Sequence, residues 1–272
     1  MRALKLVAVL VAALSLTACL NSTTLVKLKP DGSGTVEQTT LMNMAALKGM
    51  MPPDASGQMN GPMMNRAELE RTAQRMGKGV KLVSTEPVKA ANGFEGTKAI
   101  FSFEDINQIQ ISQDPNISGG TGDVMGAGKS ESPVKFALTR NPGGTSTLTI
   151  NFNDGPVGGG ASARPDTAQR GDMPDLTNPM MMNMIKTMFD GFKINIDLEV
   201  VGSIVKTNAE YVTGPRLTLL EMDMAALLAD EAKLKALQGK IGPGASFSEV
   251  KPYLKDIKGI KIDGPSIRVE FR

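Results

Sequence analysis

Segments in which apolar and polar residues alternate recur along this chain, and such alternation predicts β-strands with one buried and one solvated face. The longest runs from Phe192 to Val200, with apolar side chains at every even position and polar ones at every odd position. Shorter alternating segments lie on either side of Gly- or Pro-containing turns and predict three hairpins. These hairpins pair 25–29 with 35–42, 134–138 with 148–152, and 260–262 with 267–271.

Helices are predicted where a capping residue precedes apolar positions spaced three or four apart. The clearest begins at Asn65, where Glu68 completes a capping box, and ends at Gly77. Others are predicted over 178–191, from Asp223 to about Leu237, and over 247–254. We therefore expect an α+β fold, in which antiparallel β-hairpins and a sheet carry a few helices packed on one face.

The chain divides most clearly at residues 153–177, which are rich in Gly and Pro and contain almost no large apolar side chain. This segment predicts a linker or a long exposed loop between an N-terminal α+β module, 25–152, and a C-terminal one, 178–272. Residues 42–47 match 222–227, and a second match occurs at the same offset of 180 residues. The two modules are either related by duplication or share a common hairpin, cap and helix pattern.

The first 18 residues have the three-part organisation of a secretory signal peptide. Arg2 and Lys5 precede an apolar stretch over 6–14, which is too short to span a membrane, and small residues follow. The chain's only cysteine, Cys19, comes directly after the sequence Leu-Thr-Ala. This arrangement resembles the lipobox of bacterial lipoproteins.

The lipobox resemblance implies that Cys19 is acylated and becomes the first residue of the mature chain. Because two or more acyl chains anchor a protein stably, the body would be held at a membrane through a lipidated tether, residues 19–24. Leu20 follows the cysteine, in place of the aspartate that resembles an inner-membrane retention signal. We expect a bacterial outer-membrane protein that faces the periplasm. An ordinary cleaved signal peptide with a chance or buried cysteine is the alternative.

The composition excludes several kinds of chemistry. The chain has no histidine and no tryptophan, so Ser-His-Asp and Cys-His catalysis and imidazole-based zinc sites are not available. Removal of residues 1–18 leaves 28 basic and 28 acidic residues, and this balance argues against nucleic-acid binding. We therefore expect a binding or structural protein, with no enzymatic activity, no cofactor and no metal.

Methionine is abundant, at 18 residues, and clustered. In the predicted helix over 178–191, an apolar stripe three and four residues apart consists of Met181, Met184, Ile185 and Met188. Because methionine adapts to irregular apolar surfaces, we predict that this stripe binds an apolar ligand, and that the protein has such a ligand or an envelope protein as its partner. The same spacing is also typical of a core helix.

Two other functions follow from particular residue clusters. Thioether sulfurs favour Cu(I), and two sets are available: Met180, Met181, Met182 and Met184, or Met59, Met63 and Met64. A carboxylate-dependent enzyme, such as a glycosidase, would need a pair of acidic residues. The candidate pairs are Glu104 with Asp105, and Asp197 with Glu199.

Residues 202–209, together with Gly214 and the segment 217–219, resemble a pattern of LppM-like bacterial lipoproteins. The stretch from Asp31 to Met42 is similar to the first hairpin of that family. This chain differs in its Met-rich and Gly-rich insertions and in lacking a tryptophan on the late strand. The resemblance implies an antiparallel α+β lipoprotein ectodomain with no catalytic residues.

Overall fold

A computed structural model describes residues 20–43, 65–90, 93–112, 133–152, 182–183, 186, 191–230, 232 and 246–272. The strands in these ranges are β1 (Leu20–Leu28), β2 (Gly34–Asn43), β3 (Lys81–Lys89), β4 (Phe94–Phe103), β5 (Gln110–Ser112), β6 (Pro133–Arg140), β7 (Ser146–Asn151), β8 (Lys193–Val200), β9 (Ile204–Thr207), β10 (Val212–Thr213), β11 (Arg216–Asp223), β12 (Ile260–Ile262) and β13 (Ser266–Phe271). The helices are α1 (Arg66–Met76), α2 (Met224–Ala229) and α3 (Phe247–Leu254), with a short 3₁₀ helix at Ile106–Gln108.

The strands form two sheets, and the predicted α+β class is confirmed. The larger sheet has the order β10-β11-β8-β1-β2-β4-β3, with β12 paired to β11, and the smaller has the order β5-β6-β7-β13-β9. Neighbouring strands are antiparallel with one exception, the central pair β1 and β8, which runs parallel. The larger sheet is therefore mixed, although the sequence predicts antiparallel pairing throughout.

Each sheet combines strands from both sides of residues 153–177. In the larger sheet, β1 to β4 lie beside β8, β10, β11 and β12, and in the smaller one β5, β6 and β7 continue into β13 and β9. A single hydrophobic cluster contains Phe101, Ile150, Leu198 and Phe271, all nearly or fully buried. Segments 25–152 and 178–272, which the sequence suggests as two modules, thus share both sheets and one core.

Strand β1 begins within the segment predicted as a tether, residues 19–24. Leu20, Ser22 and Thr24 are buried, and the residues between them are half-buried. Residues 20–24 pair with β2, and residues 21–24 also pair with β8. Tertiary pairing on both edges therefore turns this polar segment into a central strand, and β1 starts one residue after Cys19.

The predicted hairpin between 260–262 and 267–271 is wrong. Strand β12 pairs with β11 in the larger sheet, whereas β13 pairs with β7 and β9 in the smaller one. The chain crosses between the sheets at residues 263–265, where the Asp263 N–H donates to the Leu219 carbonyl and the Phe152 N–H donates to the Pro265 carbonyl. Strand β9 also belongs to the smaller sheet, although β8 just before it lies in the larger one.

Helices α1 and α3 both begin with a capping box. At α1, the Glu68 N–H donates to Asn65 Oδ1 at 2.9 Å, and Ser246 and Glu249 make the equivalent bonds at α3. These bonds satisfy donors that would otherwise have no partner at the helix start. No helix within the described ranges combines the length and the apolar character needed to cross a membrane.

Candidate functional site

The residues that the sequence predicts as ligand-binding lie outside the described residues. This holds for Met181, Met184, Ile185 and Met188, and also for the proposed lipidation site, Cys19. Three residues of the helix predicted over 178–191 are described as helical, and one of them, Met182, is buried. The apolar-ligand and Cu(I) hypotheses, which depend on the other methionines, therefore stay predictions.

The described site candidate is the face of the larger sheet opposite its core, around β8. The odd-numbered residues Lys193, Asn195, Asp197 and Glu199 point to this face, because the even-numbered residues of β8 contribute to the core. The strand register places Thr23, Leu25 and Lys27 of β1 on one side of them and Arg216, Thr218, Glu221 and Asp223 of β11 on the other. We call this surface the charged face.

Ion pairs cross the charged face from strand to strand. Arg216 Nη2 lies 2.7 Å from Glu199 Oε2, and Lys193 Nζ lies 2.7 Å from Asp223 Oδ2. Glu221 pairs with Lys261 of β12 at 2.7 Å. Each pair is worth at most about 1 kcal/mol at a wet surface, so together they fix register more than they stabilise the fold.

Asp197 differs from these carboxylates because it is buried, with 7 % of its surface exposed. Its Oδ1 atom is buried without a hydrogen-bond partner, and burial raises the pKa of its carboxyl group against an opposing hydrogen bond from Thr218. Two positions earlier on the same face, Asn195 Oδ1 is also buried without a partner. A buried acceptor that lacks a donor costs about 1 to 3 kcal/mol.

In the two carboxylate pairs considered for catalysis, three of the four residues have structural roles or lie exposed at the surface. Glu104 is exposed and lies 4.0 Å from Lys81, while Asp105 caps the 3₁₀ helix by accepting from the Asn107 N–H. Glu199 is occupied by Arg216, so Asp197 has no free carboxylate beside it in sequence. The described residues contain no group of three or more His, Cys, Asp or Glu that could hold a metal ion.

A second buried carboxylate, Asp263, has a structural explanation. Its oxygens accept from the Gly264 N–H at 2.7 Å and from the Glu210 N–H at 3.1 Å, and burial raises the pKa of its carboxyl group. A shallow depression lies nearby, lined by Tyr211, Lys251, Leu254, Lys255, Ile260 and Ile262. It has no space for even a water molecule, so it is not a small-molecule site.

Comparisons with known proteins give little further information. No protein-family model matches the chain, and no curated protein matches it. Among solved structures, the chain is similar to the folded domain of the LppM protein of Mycobacterium tuberculosis, which was determined by NMR. The alignment covers 93% of this chain and 90% of that chain, with 10% sequence identity and a TM-score of 0.35. At this level of similarity no property of that protein is transferred to this chain.

Sequence reasoning places Asp197 on a solvated face and does not single out Asn195. The sequence does contain one signal for their burial, which is the short length of these two side chains. They lie between Lys193 and Glu199, whose longer side chains reach solvent. In the sheet, Asp197 is in register with Leu25 and Thr218, which lie on other strands. Only the register brings these residues together.

Proposed function

We propose that this protein is a lipid-anchored module of the bacterial envelope that binds a partner and catalyses no reaction. The observation that carries the proposal is the pair of buried, unpartnered acceptors at Asn195 and Asp197. Native proteins contain few such atoms, and here they mark the centre of the charged face. The surrounding charges are already paired, so the charged face offers recognition groups, and the described residues contain no acidic cluster that could hold a metal ion.

Support for the anchor comes from the leader and from the position of Cys19. The leader ends directly before the cysteine, and β1 begins at Leu20. Acylation of Cys19 would hold the sheet close to the lipid surface, on the periplasmic side of the outer membrane. Envelope components at that surface would then meet the charged face at high local concentration.

The anchor is tested by replacing Cys19 with serine in the full chain. We expect the wild-type protein to stay with membranes through a high-salt and carbonate wash, and the C19S protein to be released. Mass spectrometry of the N-terminal peptide should show acyl groups only on the wild type. An Asn21→Ala chain, which keeps the thiol and changes a half-buried residue of β1, is the matched control and should fractionate as the wild type does. Membrane-bound, acylated C19S protein would overturn the anchor.

Partner binding is tested by site-specific photo-crosslinking in cells. A crosslinking residue at Thr218, beside Asp197, should give a discrete adduct, and the Asp197→Leu substitution should remove that adduct. The control position is Val83, which is 59 % exposed on the edge strand β3. An absent adduct, or the same adduct at both positions, would contradict partner binding at the charged face.

A second candidate, binding of an amphiphilic ligand, is favoured by a polar section on the core side of the larger sheet. Ser22, Thr24 and Thr97 are each 6 % exposed there, and Thr40 and Gln38 are in register with the first two. Buried hydroxyl groups beside the apolar core suit a ligand with an apolar body and a polar end. Native mass spectrometry of the purified full chain, compared with a Thr24→Val and Thr97→Val chain, tests it: a co-purified ligand should be lost from the double variant.

A further inference from the structure

We infer that the outer face of the smaller sheet binds an acidic segment of a partner protein, whose carboxylates pair with Lys135, Arg268 and Lys206. The charged face belongs to the other sheet, so the inference goes beyond the proposed function and assigns a second interaction surface.

The outer face follows from the alternation along three neighbouring strands. Phe136, Ile150 and Val269 are buried in the core, so the residues on either side of them on β6, β7 and β13 point away from it. Strand β9 adds Lys206, which is in register with Glu270. We call this surface the basic face: the odd-numbered residues 135–139 and 147–151, the even-numbered residues 266–270, and Lys206.

The basic face has more cations than carboxylates. Lys135, Arg268 and Lys206 are exposed, and among the described residues no ion pair or side-chain hydrogen bond includes any of them. The only carboxylate of this face, Glu270, is half-buried and accepts from the Thr145 hydroxyl group at 2.7 Å. Three accessible cations therefore stand against one carboxylate, whereas the charged face pairs its cations with carboxylates.

The strand register sets the three cations on a diagonal line. Lys135 is two strands away from Ser266, and Arg268 lies two residues beyond Ser266 on β13. Lys206 is opposite Glu270, one strand over and a further two residues along. With strands about 4.8 Å apart and residues about 3.3 Å apart, successive cations on this line are about 12 Å and about 8 Å apart at their Cα atoms.

An extended peptide segment matches this line. Its side chains on one side recur every two residues, so carboxylates at positions i, i+4 and i+6 are about 13 Å and about 7 Å apart. The central cation, Arg268, can hold a carboxylate in bidentate geometry. Thr149, in register with Arg268, and Asn151 supply uncharged donors and acceptors beside it. Because β7 and β13 are paired on both edges, the segment is held by side chains and does not extend the sheet.

Other anionic occupants suit the basic face less well. A bilayer surface binds peripheral proteins through apolar side chains as well as charges, and Ala137 is the only apolar residue of this face. The same face has no aromatic ring on which a sugar chain could pack. Charge complementarity with a protein segment that carries spaced carboxylates is therefore the best match.

The test is an NMR titration of the full chain in micelles of a zwitterionic detergent, at low ionic strength because salt screens exposed charges. The probe is an acetylated and amidated peptide of serine and threonine with glutamate at its first, fifth and seventh positions. We expect saturable shifts of the backbone amides of Thr149, Arg268 and Lys206, and none at Thr218 of the charged face. The same peptide with glutamine in place of glutamate should bind at least about fivefold more weakly, since every charge pair is lost.

Variants of the basic face should weaken binding of the glutamate peptide. The Arg268→Gln chain should bind about three- to fivefold more weakly, since the central charge pair is lost, and Lys135→Gln combined with Lys206→Gln should have at least as large an effect. The matched control is Lys81→Gln, which removes the same charge from an exposed position on β3 of the larger sheet. It should change the affinity by less than about 1.5-fold. The amide spectrum of each chain verifies that it is folded.

Several outcomes would overturn the inference. Absence of saturable shifts would do so, and so would equal weakening by R268Q and K81Q, which would indicate only a general attraction of charge. Equal affinity for a peptide whose three glutamates are adjacent would reject the diagonal arrangement. Sedimentation of the C19S chain with phosphatidylglycerol vesicles tests a lipid: binding there that R268Q abolishes, without shifts from the peptide, would assign the basic face to a membrane. The crosslink at Thr218 reports on the charged face alone, so the two proposals fail separately.

Discussion

Replacing Leu198 with alanine tests whether the two halves of the chain fold as one unit. Leu198 is fully buried in β8, in register with Val26 of β1 and Leu217 of β11, which are also fully buried. The substitution removes three carbon atoms, worth about 2.4 kcal/mol of transfer free energy, and leaves a cavity between two strands that cannot collapse independently. We expect a total loss of about 3 to 5 kcal/mol in the free energy of unfolding.

Hydrogen exchange followed by mass spectrometry measures this loss separately in each half. Peptides from β2 and β4 report on segment 25–152, and peptides from β11 and β12 report on segment 178–272. Because these strands share one sheet and one core, L198A should lower the protection of the slowest amides equally in both. Leu25→Ala, half-buried on the opposite face, is the control and should cost about 1 kcal/mol or less. Wild-type protection of β4 in L198A would refute the single-unit interpretation.

Three further outcomes follow from the described contacts. Burial raises the pKa of Asp197, so the stability that its protonated form contributes is present below the ordinary pKa of 3.8 and is lost as pH rises through the raised value. The Asp197→Asn chain should therefore be more stable than the wild type at pH 7, by about 1 kcal/mol, and equally stable in acid. Urea denaturation at several pH values measures this difference. A hydrogen bond from Lys27 lowers the pKa of Glu37, although partial burial of the carboxyl group acts in the opposite direction. The Glu37→Gln chain should therefore be less stable than the wild type at neutral pH by about 0.5 kcal/mol. This difference should disappear as pH falls below 4.5 through the lowered pKa. Ser246→Ala removes the cap of α3 and should lower the free energy of unfolding by about 1 kcal/mol. A Ser246→Asp chain keeps a capping acceptor, so its free energy of unfolding should stay within a few tenths of a kcal/mol of the wild-type value. Equal losses in both chains would contradict the capping role.

The sequence predicts where the strands and helices of this fold lie better than it predicts which strands pair with each other. Apolar alternation locates β8 to within one residue, and the capping box at Asn65 marks the start of α1. These signals are local, and each depends on residues close together in the chain. They indicate which side of a strand is buried, but they carry no information on which strand lies beside it.

The failures have the same physical origin. The partners of β12 and β13, the parallel pairing of β1 with β8, and the strand at residues 20–24 all depend on contacts between distant segments. The candidate site shows the same limit, because the strand neighbours of Asp197, Leu25 and Thr218, come from two other strands. The sequence marks Asp197 as a candidate carboxylate on a solvated strand face, but it does not show that this side chain is buried.

The direct entry of the chain into β1 has a mechanical consequence. A lipid on Cys19, as proposed, would transmit any pull from the membrane along the axis of a strand that is held on both edges, by β2 and by β8. Such a force acts on the hydrogen bonds of both ladders in shear, so they resist together and do not open one after another. The membrane attachment would thus end in a strand that is paired on both edges, and single-molecule pulling from residue 19 should show a high rupture force with no early extension.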